Sequence, residues 1–144
     1  MNIDDIFTEW EKDCKIDKTD LLVEAVKIPE LHHKYLKMLY KENEALHNMD
    51  KLKKEATRIK TDYYKGNLSA EELNEYGWKP FNIKLLREEL NNYLESDEDI
   101  IKVNLKYNLQ KEKVQVLNQI INSINNRNFV IKNSLDWLRF TQGN

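Results

Sequence analysis

The sequence predicts an all-α fold of long amphipathic helices arranged as a helical hairpin or bundle. Its 144 residues include only three Gly and two Pro, so turn-forming positions are scarce. Apolar residues recur at spacings of three and four over long stretches, which is the period of one helix face. Alternation of apolar and polar residues is nearly absent, so no sheet is expected. The length fits a single domain over residues 1–144.

The N-terminal part is predicted to begin with short helices. Asn2 or Asp4 caps the first, and Thr19 or Asp20 caps a segment that reads LLVEAVKI. Proline is tolerated best in the first turn of a helix, so Pro29 is expected to open a new or kinked helix.

A long helix is predicted from Glu30 to Lys65, where no Pro or Gly occurs. Gly66 and Asn67 supply its C-terminal stop. One row along it keeps strict spacing over five heptads, which describes a helix packed along its length against partners. This row, whose one polar member is Glu42, comprises Ile28, Leu31, Tyr35, Met38, Glu42, Ala45, Met49, Leu52, Ala56, Ile59 and Tyr63.

Residues 67–82 are predicted to connect this N-terminal part (1–66) to C-terminal helices (83–144). Within the connection, Ser69 and Glu72 have the spacing of a capping box. Asn82 is expected to cap a helix that runs to about residue 95.

The segment ESDED is then an interruption or an acidic helix start. A helix is predicted from about Asp99 to Ile124, followed by a break at NNRN and a last helix from about Phe129 to Phe140.

The apolar rows of residues 28–63 and 117–138 are long for one small monomer to cover. Extended amphipathic helices in a chain of this size finish burying their faces in an oligomer, so we expect self-association.

Composition argues against several functional classes. The single cysteine, Cys14, excludes an internal disulfide and indicates a reducing compartment, and we expect it to be a buried structural residue. His32 and His33 are adjacent, so they cannot form an i, i+4 ligand pair, and they are interpreted as partly exposed helical residues. Metal-binding spacings, phosphate-binding loops and nucleophile motifs are missing. With no apolar run of membrane-spanning length, the sequence predicts a soluble cytoplasmic protein that is not an enzyme and needs no cofactor or metal.

Charge is arranged in blocks of alternating sign. The net charge is −5 over residues 1–30, +4 over 31–65, −6 over 66–100 and +5 over 101–144. Such blocks suit a chain that packs against itself or against copies of itself, and they allow a local basic surface on an acidic protein.

The basic block ends in the segment TRIKTDYYKGN, and residues 51–65 hold six Lys or Arg against two acids. A solvated helix face is one interpretation. Cations that follow phosphates, with aromatics that stack on bases, are instead typical of a single-strand site. Tyr63 fits the apolar row and is assigned to packing, which leaves Tyr64 for contact. The predicted DNA-binding residues are Lys51, Lys54, Arg58, Lys60, Tyr64 and Lys65.

The chain resembles the UvsY-type recombination mediators of tailed phages over nearly its whole length. The similarity begins in FTEWEKDCKID and is clearest in EATRIKTDYYKG. It continues through SDEDIIKVNLKY and ends in SINNRNFVIKNSLDWLRFTQG. The resemblance implies a non-enzymatic factor that binds single-stranded DNA as a ring oligomer, heptameric in the family. It also implies two protein partners, a RecA-like (UvsX-type) recombinase and the phage single-stranded-DNA-binding protein that this recombinase displaces, and it places the protein in the host cytoplasm.

The family's DNA contact maps onto Arg58 and Lys60, although the order of the pair is reversed here. Nothing is carried over for the less similar section EYGWKPF. The C-terminal segment of the family supports ring assembly. The residues assigned to oligomerisation are therefore Leu117, Ile120, Ile121, Ile124, Phe129, Ile131, Leu135 and Leu138.

Two other functions are open from the sequence. A helical oligomeric adaptor would use Arg58 and Lys60 in ion pairs between subunits. A regulator that binds duplex DNA is disfavoured because no recognition helix of a helix-turn-helix is recognisable.

Overall fold

The computed structural model describes residues 1–143, and every regular element in that range is a helix. The prediction of an all-α fold is confirmed. The helices are α1 (Ile3–Asp13), α2 (Leu21–Val26), α3 (Ile28–Tyr64), α4 (Ala70–Tyr76), α5 (Arg87–Ser96) and α6 (Glu98–Thr141).

Helix starts follow the capping residues that the sequence offers. Asn2 Oδ1 accepts a hydrogen bond from the Asp5 N–H at 2.8 Å, and the Asp5 carboxylate accepts one from the Asn2 N–H. Asp20 caps α2, and the Ser69 hydroxyl accepts from the Glu72 N–H to start α4. Of the predicted alternatives, Asn2 and not Asp4 caps α1, and Asp20 and not Thr19 caps α2.

The long helix α3 begins and ends within two residues of the predicted bounds. Pro29 lies in its first turn, where the missing N–H has no intrahelical partner to lose. After Tyr64, Gly66 adopts a positive φ of 73°, and the Asn67 N–H donates to the Asp62 carbonyl at 2.9 Å. A left-handed residue at this place ends the helix with its last carbonyls satisfied.

The predicted helix start at Asn82 is wrong, because α5 begins only at Arg87. The ring of Phe81 packs among aromatic side chains of α3 and α5, so the chain after it stays non-helical. The first turn of α5 is closed by Glu89, whose carboxylate accepts from the Leu86 N–H at 3.3 Å.

The predicted break at residues 125–128 is also wrong, because α6 runs through it without interruption. Arg127, 4% exposed, donates to Glu24 Oε2 at 2.8 Å and to the carbonyls of Asp13 and Lys15 at 3.0 Å each. These bonds stabilise a helical conformation that the asparagines around it would not favour alone.

Contacts divide the chain into two compact units, where the sequence predicted one domain. The first unit consists of Met1–Glu44 with the chain from Lys111 onward, and the second of Ala45–Gln110. Helices α3 and α6 each contribute to both.

The first unit has an apolar core formed by α1, α3 and α6. Tyr35 is fully buried, contacts Trp10 edge-on, and donates its hydroxyl to Asp13 at 2.8 Å. Glu42, the polar member of the α3 row, is ion-paired with Lys113 at 3.3 Å. The buried core residues are Ile6, Tyr35, Leu117, Ile120, Ile121 and Ile124.

The residues singled out for possible chemistry lie at or near the surface of the first unit. Cys14 is exposed at the end of α1, so the expectation of a buried cysteine is wrong. His33 is exposed and His32 half-buried, as predicted. Within residues 1–143, no helix is long and apolar enough to cross a membrane.

Candidate nucleic-acid interface

Three exposed cations on one face of α3, in the second unit, are continued by a fourth immediately after the helix, whose N–H still donates to the Thr61 carbonyl at 3.0 Å. Successive helical residues are rotated by about 100°, so spacings of three, four and seven return to the same side. Lys51, Lys54, Arg58 and Lys65 have these spacings, and all four are exposed. We call these four residues the basic stripe.

Few acidic groups pair with the basic stripe, although Glu55 and Asp62 share its side of the helix. Lys54 is ion-paired with Asp50 at 2.9 Å, but this exposed pair is weak because water and salt screen it. Among residues 1–143, no carboxylate forms an ion pair with Lys51, Arg58 or Lys65. The stripe is therefore available to an anion from solution.

Lys60 does not belong to the basic stripe. It follows Arg58 by two positions, which places it roughly 160° around the helix. Its side chain is 9% exposed, with Nζ 3.1 Å from Asp97 Oδ2 and 2.9 Å from Asp99 Oδ2. Nζ also lies 3.9 Å from the ring centroid of Trp78. Burial alone would lower the pKa of Lys60, but the hydrogen bonds to Asp99 and Asp97 outweigh it and raise the pKa.

Asp97 connects the end of α3 to the junction of α5 and α6. Its Oδ1 accepts from the N–H groups of Asp99 and Ile100 and so caps α6. Its Oδ2 accepts from the Tyr64 hydroxyl at 2.6 Å and from Lys60. Burial would raise the pKa of Asp97, but these hydrogen bonds outweigh it and hold the pKa below its usual value. We call Lys60, Tyr64, Asp97 and Asp99 the Asp97 hub.

The two tyrosines pack inside the second unit. Tyr63 donates to the Lys79 carbonyl at 2.7 Å and contacts Trp78, which supports its assignment to packing. Tyr64 contacts Phe81 and Tyr93, and its hydroxyl is held by the Asp97 hub, so its pKa is raised by burial and by the neighbouring carboxylate. Tyr64 is thus half-buried and anchored through its hydroxyl, and it is not the freely exposed ring that was predicted.

Sequence reasoning therefore grouped two different sets of residues. Arg58 faces solvent, whereas Lys60 and Tyr64 stabilise the turn region inside the second unit. The rotation of about 100° per residue would have separated Arg58 from Lys60. Trp78 and Phe81 were missed, although the density of aromatics in EYGWKPF was a signal.

The residues assigned to oligomerisation also divide into two sets. Leu117, Ile120, Ile121, Ile124 and Ile131 are buried within one chain, which corrects their assignment to a surface between subunits. Phe129, Leu135 and Leu138 are at least 40% exposed.

Near these three residues, the last turns of α6 carry further exposed apolar side chains that sequence reasoning did not assign. Val130, Trp137 and Leu138 line a groove of about 660 Å³ with Ile16 and Leu21. We call the exposed set the C-terminal apolar face. It comprises Phe129, Val130, Leu135, Trp137, Leu138 and Phe140.

The helices of residues 1–143 and their exposed row of cations define the class of all-helical proteins with a basic surface suited to a polyanion. Comparison with known families defines this class further. Residues 9–144 match the family described as recombination, repair and ssDNA binding protein UvsY, and the chain belongs to the UvsY family.

Individual relatives agree with this assignment. The recombination protein uvsY of Enterobacteria phage T4 is 25% identical over 143 residues, which covers 99% of each chain. Two crystal structures of the bacteriophage T4 recombination mediator protein UvsY are also similar. Lattice type IV has a TM-score of 0.85 at 25% identity, over 97% of this chain and 99% of that one. Lattice type II has a TM-score of 0.84 at 25% identity, over 99% and 98%.

Proposed function

We propose that this protein is a recombination mediator. It binds single-stranded DNA without sequence preference and promotes loading of a RecA-like recombinase onto strands covered by a single-stranded-DNA-binding protein. Membership of the UvsY family supports a role in recombination, and the solved relatives are named as recombination mediators. The observation that carries the DNA-binding part is the basic stripe.

The chemistry of the basic stripe suits a phosphate backbone. Lys51 and Lys65 are separated by roughly 21 Å along α3, at 1.5 Å per residue. Lysine and arginine contacts to phosphates fix a strand in place and carry no sequence information. Lys51, Lys54, Arg58 and Lys65 bind phosphates, while the Asp97 hub holds the end of α3 in position.

Four cations on one chain give weak binding that depends strongly on salt. Each phosphate contact to a single strand contributes about 0.7 to the slope of log K against log salt, so the basic stripe contributes about 2.8. Repetition of the stripe in an oligomer raises the affinity, because each further contact is made at high effective concentration.

We further propose that the chain assembles as a homo-oligomer, a heptameric ring as in the family, through the C-terminal apolar face. Large apolar side chains such as Trp137, 65% exposed, and Phe140, 76% exposed, mark surfaces that bind protein. A ring places several copies of the basic stripe along one DNA strand. The mediator acts through binding alone, and its partners are the strand, the recombinase and the single-strand-binding protein.

The DNA-binding proposal is tested by anisotropy of labelled oligo-dT over a series of salt concentrations. Lys54→Ala/Arg58→Ala should weaken binding and reduce the salt slope by about 1.4 per protomer engaged. The matched control is Lys102→Ala/Lys106→Ala, which removes two exposed cations with the same spacing of four from α6 in the second unit. Light scattering on the same samples checks that the assembled mass is unchanged. Equal slopes for the two double variants would place the DNA elsewhere.

The mediator activity needs a separate assay. Recombinase filaments are assembled on oligo-dT already covered by single-strand-binding protein, with wild-type protein, the stripe variant or no addition. The wild type should shorten the lag before filament growth, and the stripe variant should not. If DNA binding is intact but the lag is unaffected by the wild type, the protein is a helical adaptor and not a mediator.

A further inference from the structure

A cleft of about 840 Å³ opens in the second unit beside Lys65, the last member of the basic stripe. The end of α3, the non-helical chain after Phe81, and α5 form its walls. Its lining residues are Thr61, Tyr64, Lys65, Phe81, Asn82, Ile83, Lys84, Leu85, Arg87, Leu90, Asn91 and Leu94.

The cleft combines an apolar lining with positive charge. Phe81, Leu90 and Ile83 contribute apolar surface, and Ile83 is 58% exposed. Lys84 and Arg87 are exposed cations, and no carboxylate lines the cleft among the residues that the structure describes. An occupant of matching chemistry has apolar surface and carries negative charge.

We propose that this cleft receives a nucleotide of single-stranded DNA, with the base against Phe81, Ile83 and Leu90. The phosphates on either side contact Lys84 and Arg87. This inference rests on the proposed DNA binding, because Lys65 belongs both to the basic stripe and to the cleft and makes the two continuous.

Continuity with the stripe favours a nucleic acid over an acidic peptide. A strand whose phosphates follow Lys51 to Lys65 arrives at the mouth of the cleft. A base has an apolar face and polar edges, which suits an apolar wall near the exposed amides of Asn82 and Asn91. A cleft that accepts any base through contact with its face adds affinity without sequence preference.

The test compares oligo-dT with an abasic oligonucleotide of the same length and phosphate number. Asn91→Trp fills the cleft from an exposed position on α5. Asn92→Trp is the matched control, because Asn92 is the next exposed residue on the same helix and does not line the cleft.

Wild-type protein should bind oligo-dT at least roughly fivefold more tightly than the abasic strand. Asn91→Trp should abolish this preference and leave the phosphate contribution of the stripe in place, whereas Asn92→Trp should keep the preference. Equal binding of the two strands by the wild type overturns the proposal, and so does a preference that survives in Asn91→Trp.

A second pair of variants tests the phosphate contacts. Lys84→Ala/Arg87→Ala should reduce the salt slope by about 1.4, and the control Lys102→Ala/Lys106→Ala should not. An unchanged slope overturns the proposed phosphate contacts. If an acidic amphipathic peptide binds the cleft and does not compete with oligo-dT, the occupant is a protein segment, which also overturns the proposal.

The stripe variants separate this failure from failure of the proposed function. Lys54→Ala/Arg58→Ala lowers the slope whether or not a base enters the cleft. If the stripe variant lowers the salt slope but wild-type protein binds the abasic and oligo-dT strands equally, only the proposal for the cleft is overturned.

Discussion

Replacing Asp97 by alanine should destabilise the second unit without removing any residue of the basic stripe. Asp97 is 7% exposed and makes four contacts with its two carboxylate oxygens. Two of these contacts cap α6, the third is the hydrogen bond that Tyr64 donates, and the fourth is the ion pair with Lys60. A single substitution therefore removes the connection between the end of α3 and the start of α6.

The expected loss is roughly 3 kcal/mol of the free energy of unfolding, from three contributions. Loss of a helix N-cap costs about 1 kcal/mol. The hydroxyl of Tyr64 loses its acceptor at a cost of about 1 kcal/mol. Lys60 loses one carboxylate but keeps Asp99 at 2.9 Å, which limits that cost to about 1 kcal/mol instead of the several kcal/mol of a fully unpaired buried ammonium.

Urea unfolding followed by circular dichroism measures this loss, and hydrogen exchange assigns it to the second unit. Protection should fall in α5 and at the start of α6 and persist in α1. Tyr64→Phe should lose about 1 kcal/mol. Glu95→Ala, which removes an exposed carboxylate from α5, is the control and should change stability little.

If Asp97→Ala unfolds within about 0.5 kcal/mol of the wild type, as an ordinary surface substitution does, the Asp97 hub does not hold the second unit together. An equal loss of protection in α1 would show that the destabilisation is not confined to the second unit.

Three further predictions concern Asp97, Arg127 and the C-terminal apolar face. The lowered pKa of Asp97 stabilises the fold above the usual carboxyl pKa of 3.8, and this contribution is lost as pH falls through the folded-state pKa. Urea midpoints of Asp97→Asn should therefore fall less steeply below pH 4 than those of the wild type. Arg127→Ala leaves the buried Glu24 carboxylate with Lys27, 3.4 Å away, as its remaining cationic partner. The variant should therefore cost about 3 kcal/mol in urea unfolding, and the absence of a loss would contradict the role of Arg127 in α6. Trp137→Ser/Phe140→Ser should lower the assembled mass in light scattering while helix content stays unchanged, and an unchanged mass would place the interface elsewhere.

Local signals in the sequence predicted most of the helix ends. Asn2, Ser69 and Gly66 act through hydrogen bonds or backbone angles within a few residues, so the sequence alone predicts them. The continuity of α6 was not predictable in this way. The partners of Arg127 lie more than 100 positions away along the chain, and asparagines beside it favour a break locally.

The candidate site could be predicted only in part, again because some of its contacts join residues that are distant in the sequence. The sequence showed a concentration of cations at the end of α3, and helix geometry suffices to identify the face that carries Arg58. The sequence did not show that Asp97 and Asp99 pair with Lys60, because these residues come from the junction of α5 and α6. Helix geometry places Arg58 and Lys60 on different faces of α3, but only the tertiary structure shows that the face of Lys60 is buried.

The proposed DNA-binding surface depends on this division between Arg58 and Lys60. The most direct measurement determines, for Arg58→Gln and Lys60→Gln side by side, the salt slope of oligo-dT binding and the free energy of unfolding. Arg58→Gln should reduce the slope by about 0.7 per protomer engaged and leave stability unchanged, whereas Lys60→Gln should lower stability and leave the slope unchanged. Equal reductions of the slope by both variants, with stability intact, would contradict this division and return Lys60 to the DNA-binding surface.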